Sequence, residues 1–456
     1  MRTADRMAMP MASSGQAADT IKVFACTALC VLVAETIGNV SVPLGGSYKV
    51  VLLPLLWALL LGAVWGLAAN RLPAPLRIAK RHQTLAALLL QPALMLFIGK
   101  LGLMVGGNLP KIFDAGWALV FQEFGHFFGT MIFGLPVALL LGIKREAIGA
   151  TFSVGREPSL AIIGEKYGMD SPEGRGVLAE YMTGTIFGAI FISIFAGFIA
   201  GLGLFDPRAL AMGAGVGSGS LMAAASGAIA ALQTPEIAKD VVTFAAASNL
   251  VTTTIGTYFT LFLSLPFTVW AYGVLEPILG RFGRAASPAA EPAAASAKAA
   301  ASAPQDGAPA AKLSSMTMLV VWAVAGLMAL IGNTITYKIV PDAAVFAGLA
   351  ILIGTVIVGY GAYVATRKVV PAVVWVSLVA MALTYPGTPF AAEITALTGK
   401  LNFMALATPL LAFAGLSIAK DVPAFRKLGW RIVVVSLMAN AGTFLGATLI
   451  AQVLMH

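Results

Sequence analysis

The residues best suited to chemistry are two adjacent charges, Arg156 and Glu157, set in Thr151-Phe152-Ser153-Val154-Gly155-Arg156-Glu157-Pro158-Ser159 between apolar runs. A charge at membrane depth costs about 2.5–3.5 kcal/mol, so it needs a compensating partner or a function. Arg156 offers a planar fork that matches a carboxylate. Glu157 would carry a proton or ligate a cation. The same two residues would also form a structural contact with each other, or lie at the surface of a shallow hairpin. A second interruption reads Gly213-Ala214-Gly215-Val216-Gly217-Ser218-Gly219-Ser220. Both segments stop an apolar helix and restart it, and a restarting helix presents free N–H groups and a positive end that favour an anion.

The candidate substrate-binding residues are therefore Ser153, Gly155, Arg156, Ser159, Gly217, Ser218, Gly219 and Ser220, with Asn249 and Thr253 from the helix after the second break. The candidate ion-coupling residues are Glu157, Glu180 and Thr252. Asn249 and the Thr252–Thr254 run would equally make ordinary interhelical hydrogen bonds. Glu180 is near a helix start and would also suit the membrane interface. Glu123 and His126, one turn apart, would form a proton relay. They lie only a few residues inside their span, which favours a wetted structural pair. Glu35 and Asn333 are weaker cases of the same kind.

No cofactor is implied, and the coupling ion would be Na+ or H+. An enzyme is not expected: HExxH, GxSxG and His/Cys clusters are absent, and the chain has three histidines. Gly215-x-Gly217-x-Gly219 matches a nucleotide fingerprint in letters only, without the strand and acidic residue that mechanism needs.

The elements that must hold these residues are membrane helices. The chain has 456 residues, 59% hydrophobic and 11% charged, against about 25% charged in soluble domains. Apolar runs of about 20 residues, each enough to span a bilayer, recur from Ile21 onward. The expected fold is an all-α integral membrane protein with about 11 spans, at 22–43, 50–69, 85–106, 116–143, 176–203, 237–266, 316–338, 343–365, 369–386, 401–419 and 430–454, plus re-entrant hairpins at 147–167 and 209–233. Residues 1–21 form an N-terminal tail, 22–284 a first membrane region, 285–315 an Ala/Pro-rich linker unable to build a core, and 316–456 a second membrane region. Cys26 and Cys30 share a face of the first span and imply no disulfide framework.

The net charge of +9 does not point to nucleic acid, because the basic residues sit in short loops. Arg71, Arg77, Lys80 and Arg81, then Lys144 and Arg145, Arg281 and Arg284, Arg367 and Lys368, and Lys420, Arg426 and Lys427 fall on one side. The positive-inside rule makes that side cytoplasmic, with the N-terminus in and the C-terminus out.

Gly102-Leu103, Pro110, Gly116-Trp117 and Gly129-Thr130 recur 313 positions later as Gly415-Leu416, Pro423, Gly429-Trp430 and Gly442-Thr443. In the expected topology the two copies run in opposite directions, as an inverted repeat. Val154-Gly155 and Ser171-Pro172-Glu173 pair more weakly with Val216-Gly217 and Thr234-Pro235-Glu236. The order of parts differs, so one half is circularly permuted. Chance similarity among Gly/Ala-rich helices is the alternative.

The run Gly155 to Gly168, with its Glu165-Lys166-Tyr167-Gly168 ending, resembles the Gly-rich hairpin of sodium/glutamate symporters. The resemblance covers about residues 85–203 and, permuted, 209–266 and 400–454. The whole chain looks closer to an uncharacterised bacterial multi-pass inner-membrane family, distantly similar to those symporters and to 2-hydroxycarboxylate carriers. The likeness implies elevator-type alternating access, a small anionic substrate and a homodimer in the bacterial inner membrane. Arg156-Glu157 replaces the small residues those symporters carry at the tip, which leaves substrate and coupling ion open. The alternative function is a channel or a holin-like export-accessory protein.

Overall fold

A computed structural model describes residues 14–45, 48–73, 75–110, 116–154, 157–168, 171–215, 217–254, 256–282, 313–367, 372–420 and 429–455. The linker at 285–312 lies outside them. Among the described residues the fold is all-α apart from one β-hairpin, β1 (Val40–Gly45) and β2 (Tyr48–Leu52). Among the described residues, eight helices are long and apolar enough to cross a membrane, or nine if one bent pair counts as a single span. The chain is a multi-pass membrane protein.

Four of the expected spans are altered. The first helix, α1 (Ser14–Ile37), ends before the β-hairpin instead of reaching residue 43. The spans expected at 50–69 and 369–386 are short helices, α2 (Pro54–Ala68) and α16 (Ala372–Thr384), below the length of about 20 residues that crosses a bilayer upright. The apolar helix expected at 237–266 is displaced: α11 (Pro235–Thr254) carries Glu236, Lys239 and Asp240, whereas the span-length apolar stretch is Thr260–Leu279. That stretch opens with a π-helical turn at Thr260–Ser264, after the short α12 (Gly256–Phe259), and continues as α13 (Leu265–Leu279).

The described residues form two compact units, each drawing on sequence from both sides of the linker. The first contains α1, α2, α3 (Lys80–Gly107), α14 (Ser315–Ile335), α15 (Ala343–Ala365), α16, α17 (Ala391–Gly399) and α18 (Phe403–Ile418). Cys30, Val31 and Ala34 pack here on Ala58 and Ala412, and both cysteines are free and buried. Helices α17 and α18 are bent by 59°. Backbone groups released by such a break must be satisfied inside the protein. Asn333 Nδ2 donates to Lys400 O at 2.9 Å, Asn402 N donates to Asn333 Oδ1 at 2.9 Å, and Lys100 Nζ donates to Thr398 O at 2.7 Å. Asn333 thus serves the break. Buried Glu35 accepts from Thr336 Oγ1 at 2.5 Å.

The second unit contains the β-hairpin except its end residues Val40 and Leu52, and α4 (Ala118–Leu140), α5 (Glu146–Thr151), α6 (Glu157–Lys166), α7 (Pro172–Thr183), α8 (Ala189–Gly201), α9 (Pro207–Gly215), α10 (Gly219–Ala230), α11, α12, α13 and α19 (Trp430–Leu454). Its core joins Leu135 and Ala138 of α4 to Ala147, Ala179, Ala271 and Val435. Residues of the Gly-Trp…Gly-Thr repeat do the same work twice. Gly116 and Gly429 have φ of +58° and +75°, each just before a tryptophan at a helix start. Thr130 and Thr443, 313 positions apart, share a hydrogen bond between their hydroxyls. Beside it, a Cβ on Gly129 would lie 2.0 Å from Gly442 O, and one on Gly442 would lie 2.1 Å from Gly129 O. The backbones of α4 and α19 touch there.

Candidate functional site

Both broken segments lie in the second unit, and the breaks fall where the sequence places them. The first runs α5, a bend at Phe152–Val154, then α6. The second runs α9, a turn containing Gly217, then α10. Each is followed by a helix beginning with proline, α7 at Pro172 and α11 at Pro235. Ser171 caps α7 by accepting from Gly174 N at 2.9 Å, as its type predicts.

Ion pairs tie each break to its following helix. Arg145 bonds Glu173 at 2.5 Å and Arg175 bonds Glu146 at 2.9 Å, pinning α5 to α7. Arg208 bonds Asp240 at 2.9 Å, pinning α9 to α11.

At the first break Ser153 and Ser159 are buried. Ser264, in the π-helical turn, donates to the carbonyl of Phe152. Gly155 and Arg156 lie outside the described residues, as do the side chains of Glu157 and Thr253.

At the second break Gly217 has φ of +110°, a conformation that side-chain-bearing residues rarely adopt. Ser218 caps α10, accepting from Leu221 N at 3.4 Å, and its hydroxyl lies 3.0 Å from that of Ser220. Gly219 is buried and Ser220 half-buried. Asn249 Nδ2 donates to Gly215 O at 2.7 Å and Gly217 O at 3.1 Å, while Ser248 Oγ donates to Met212 O at 2.7 Å. Asn249 therefore holds the end of α9, where a helix has unsatisfied carbonyls. Among the described residues no hydrogen bond joins Ser153 or Ser159 to Ser218 or Ser220.

Of the ion-coupling candidates, Thr252 meets α4 and Glu180 meets α19. Thr252 donates to Glu123 Oε1. Ser436 Oγ donates to Glu180 Oε1 at 3.4 Å. Glu180 is fully buried within the protein. Glu123 and His126 are also buried, at 0% and 1% exposure, and the expectation of a wetted pair is corrected. Their position near the span's start suggested water, but α11 and α12 cover that face: the Thr252 hydroxyl reaches Glu123, and a Cβ on Gly256 would lie 3.3 Å from Glu123 Oε2. Sequence reasoning gave no part to Gln122 or Ser436. A carboxylate in apolar sequence was the available signal for a hydroxyl or amide partner on a facing helix. Among the described residues no group of three His, Cys, Asp or Glu side chains converges as a metal ion would require.

Comparison with curated proteins and with solved structures gives no match, and so none to sodium/glutamate symporters or 2-hydroxycarboxylate carriers. A family model does match, over residues 32–274 and so over more than half of the chain: the chain belongs to the protein of unknown function family DUF3100.

Proposed function

We propose that this membrane protein is a secondary transporter that moves a small organic anion, coupled to H+ or Na+, without covalent chemistry on its cargo. One observation carries the reading: two interrupted helices with polar breaks belong to a single compact unit, and irregular backbone at membrane depth is tolerated where protein buries it or it lines a cavity. The cargo carboxylate would meet Arg156 and the helix starts at Ser153–Ser159 and Gly217–Ser220. Alternating access would be of elevator type, the unit with both breaks moving as a body. The bacterial inner membrane, a cytoplasmic N-terminus, a periplasmic C-terminus and a homodimer complete the proposal.

The test begins with a thermal-shift screen of the purified protein against organic acids, with and without sodium. A ligand that binds only the folded state raises the melting temperature. The stabilising acid is then followed in proteoliposomes. A carrier saturates and counter-exchanges the acid, and Arg156→Ala abolishes exchange while the protein still purifies folded. Linear, non-saturating flux would replace this reading with a channel, and full exchange by Arg156→Ala would remove the anion anchor.

A further inference from the structure

Glu123 sits in an aromatic neighbourhood in which Phe259 packs on Phe124 at 5.3 Å and on Phe127 at 5.5 Å. Its Oε1 accepts from Gln122 Nε2 at 2.9 Å and from Thr252 Oγ1, and its Oε2 faces His126 Nδ1 at 3.4 Å. His126 Nε2 and Gln122 Oε1 are buried without a partner among the described residues. Thr252 Oγ1 also lies 3.0 Å from Ser248 O. A hydroxyl has one proton to give, and here it has two acceptors in reach. If that proton goes to Glu123, the carboxyl is an anion and the Ser248 carbonyl loses its side-chain bond. If it goes to Ser248 O, the contact with Glu123 needs a proton on the carboxyl itself. The two arrangements differ by one proton.

We propose that Glu123 is a reversible proton-binding site whose state is passed through Thr252 to the second broken segment. Binding forms an O–H bond at Oε1. That group then donates to Thr252 Oγ1, and the threonine proton turns to Ser248 O. Release reverses both steps. Ser248 and its neighbour Asn249 hold Met212, Gly215 and Gly217, so the carbonyl that gains or loses a bond belongs to the turn clamping α9.

His126 is the titratable group facing the carboxylate. Of the elements packed on α4, α11 carries Glu236, Lys239 and Asp240, with Asp240 paired to Arg208 of α9 and about three turns from Thr252. Helix α13 carries Tyr272 and Glu276, the latter paired to Lys144. Helix α5 carries Glu146, paired to Arg175, and α19 carries Arg431 in its first turn.

The coupling role rests on the transport reading; proton binding does not. The test is pH-difference infrared spectroscopy of the full chain in lipid nanodiscs, with the proton as the only ligand. A protonated-carboxyl band should appear on acidification, vanish in Glu123→Gln and persist in Glu35→Gln. In Thr252→Val the protonated carboxyl loses the hydroxyl it donates to, so the band should shift to higher frequency. Persistence of the whole band in Glu123→Gln overturns the proposal. Should Glu123→Gln fail to fold, an unchanged band position in Thr252→Val does so. Counter-exchange by the same variants in proteoliposomes separates the two ideas. Exchange without a Glu123 band leaves the carrier and removes this site; the band without exchange does the reverse.

Discussion

At the scale of single residues, absent side chains matter as much as polar ones. Gly129 and Gly442 let two helix backbones touch, and the Thr130–Thr443 bond closes the crossing. Any Cβ at Gly129 meets a carbonyl at 2.0 Å, so backbone must move. Overpacking of this kind costs about 1–3 kcal/mol or more. Gly129→Val should therefore lower the melting temperature sharply or prevent recovery of monodisperse protein. Gly273, exposed on α13 with open space where its Cβ would stand, is the control. Its change to alanine should hold or slightly raise the melting temperature, since glycine within a helix costs about 0.5–1 kcal/mol. Equal losses in the two variants would mean that helix propensity, not contact, governs these positions. The packing role of Gly129-Thr130 was legible because the same pair recurs at one offset. The burial of Glu123 was not, since distance from a span's end says nothing about which helix lies over it.

At the scale of elements, the second break depends on α11. Asn249 bonds two carbonyls at the end of α9, and removing its amide leaves them to find other partners. Losing a buried hydrogen-bond partner costs about 1–3 kcal/mol, felt as local opening if the break moves apart from the core. Asn249→Ala should thus speed amide hydrogen exchange about tenfold or more in residues 209–221, with little change in peptides from α3. Unchanged exchange at 209–221 would show that Asn249 does not hold the break. The two breaks could be read from Gly, Ser and Pro gathered in apolar sequence. The division between α11 and α13 could not. Uncharged residues run on from Val241 through Leu265, and a π-helical turn at Thr260–Ser264 shifts the register without the Gly-Pro punctuation that marks a break. The short α2 and α16 were likewise hidden, since their apolar runs continue beyond the helix ends.

At the scale of the whole molecule, each unit is assembled from both sides of the linker. In the second unit, α4 meets α19; in the first, a Cβ on Gly415 of α18 would lie 2.3 Å from Leu59 O of α2. The front and back membrane regions read from sequence are thus halves of a chain, and neither holds a complete unit. Composition marked the linker, but chain order cannot reveal that contacts cross it. The consequence is testable by cutting the chain at residue 298 and producing 1–298 and 299–456 together, with a tag on the front fragment alone. The linker's Ala/Pro/Ser run has no apolar face to bury, and joining the fragments mainly lowers the entropy of bringing them together. The fragments should copurify as a folded complex whose melting temperature approaches that of the intact chain. The front fragment alone should aggregate, because without α19 it exposes the Gly125–Gly129 face and leaves Thr130 without Thr443. A front fragment that is monodisperse and melts cooperatively by itself would show that the contacts across the linker do not hold the second unit together.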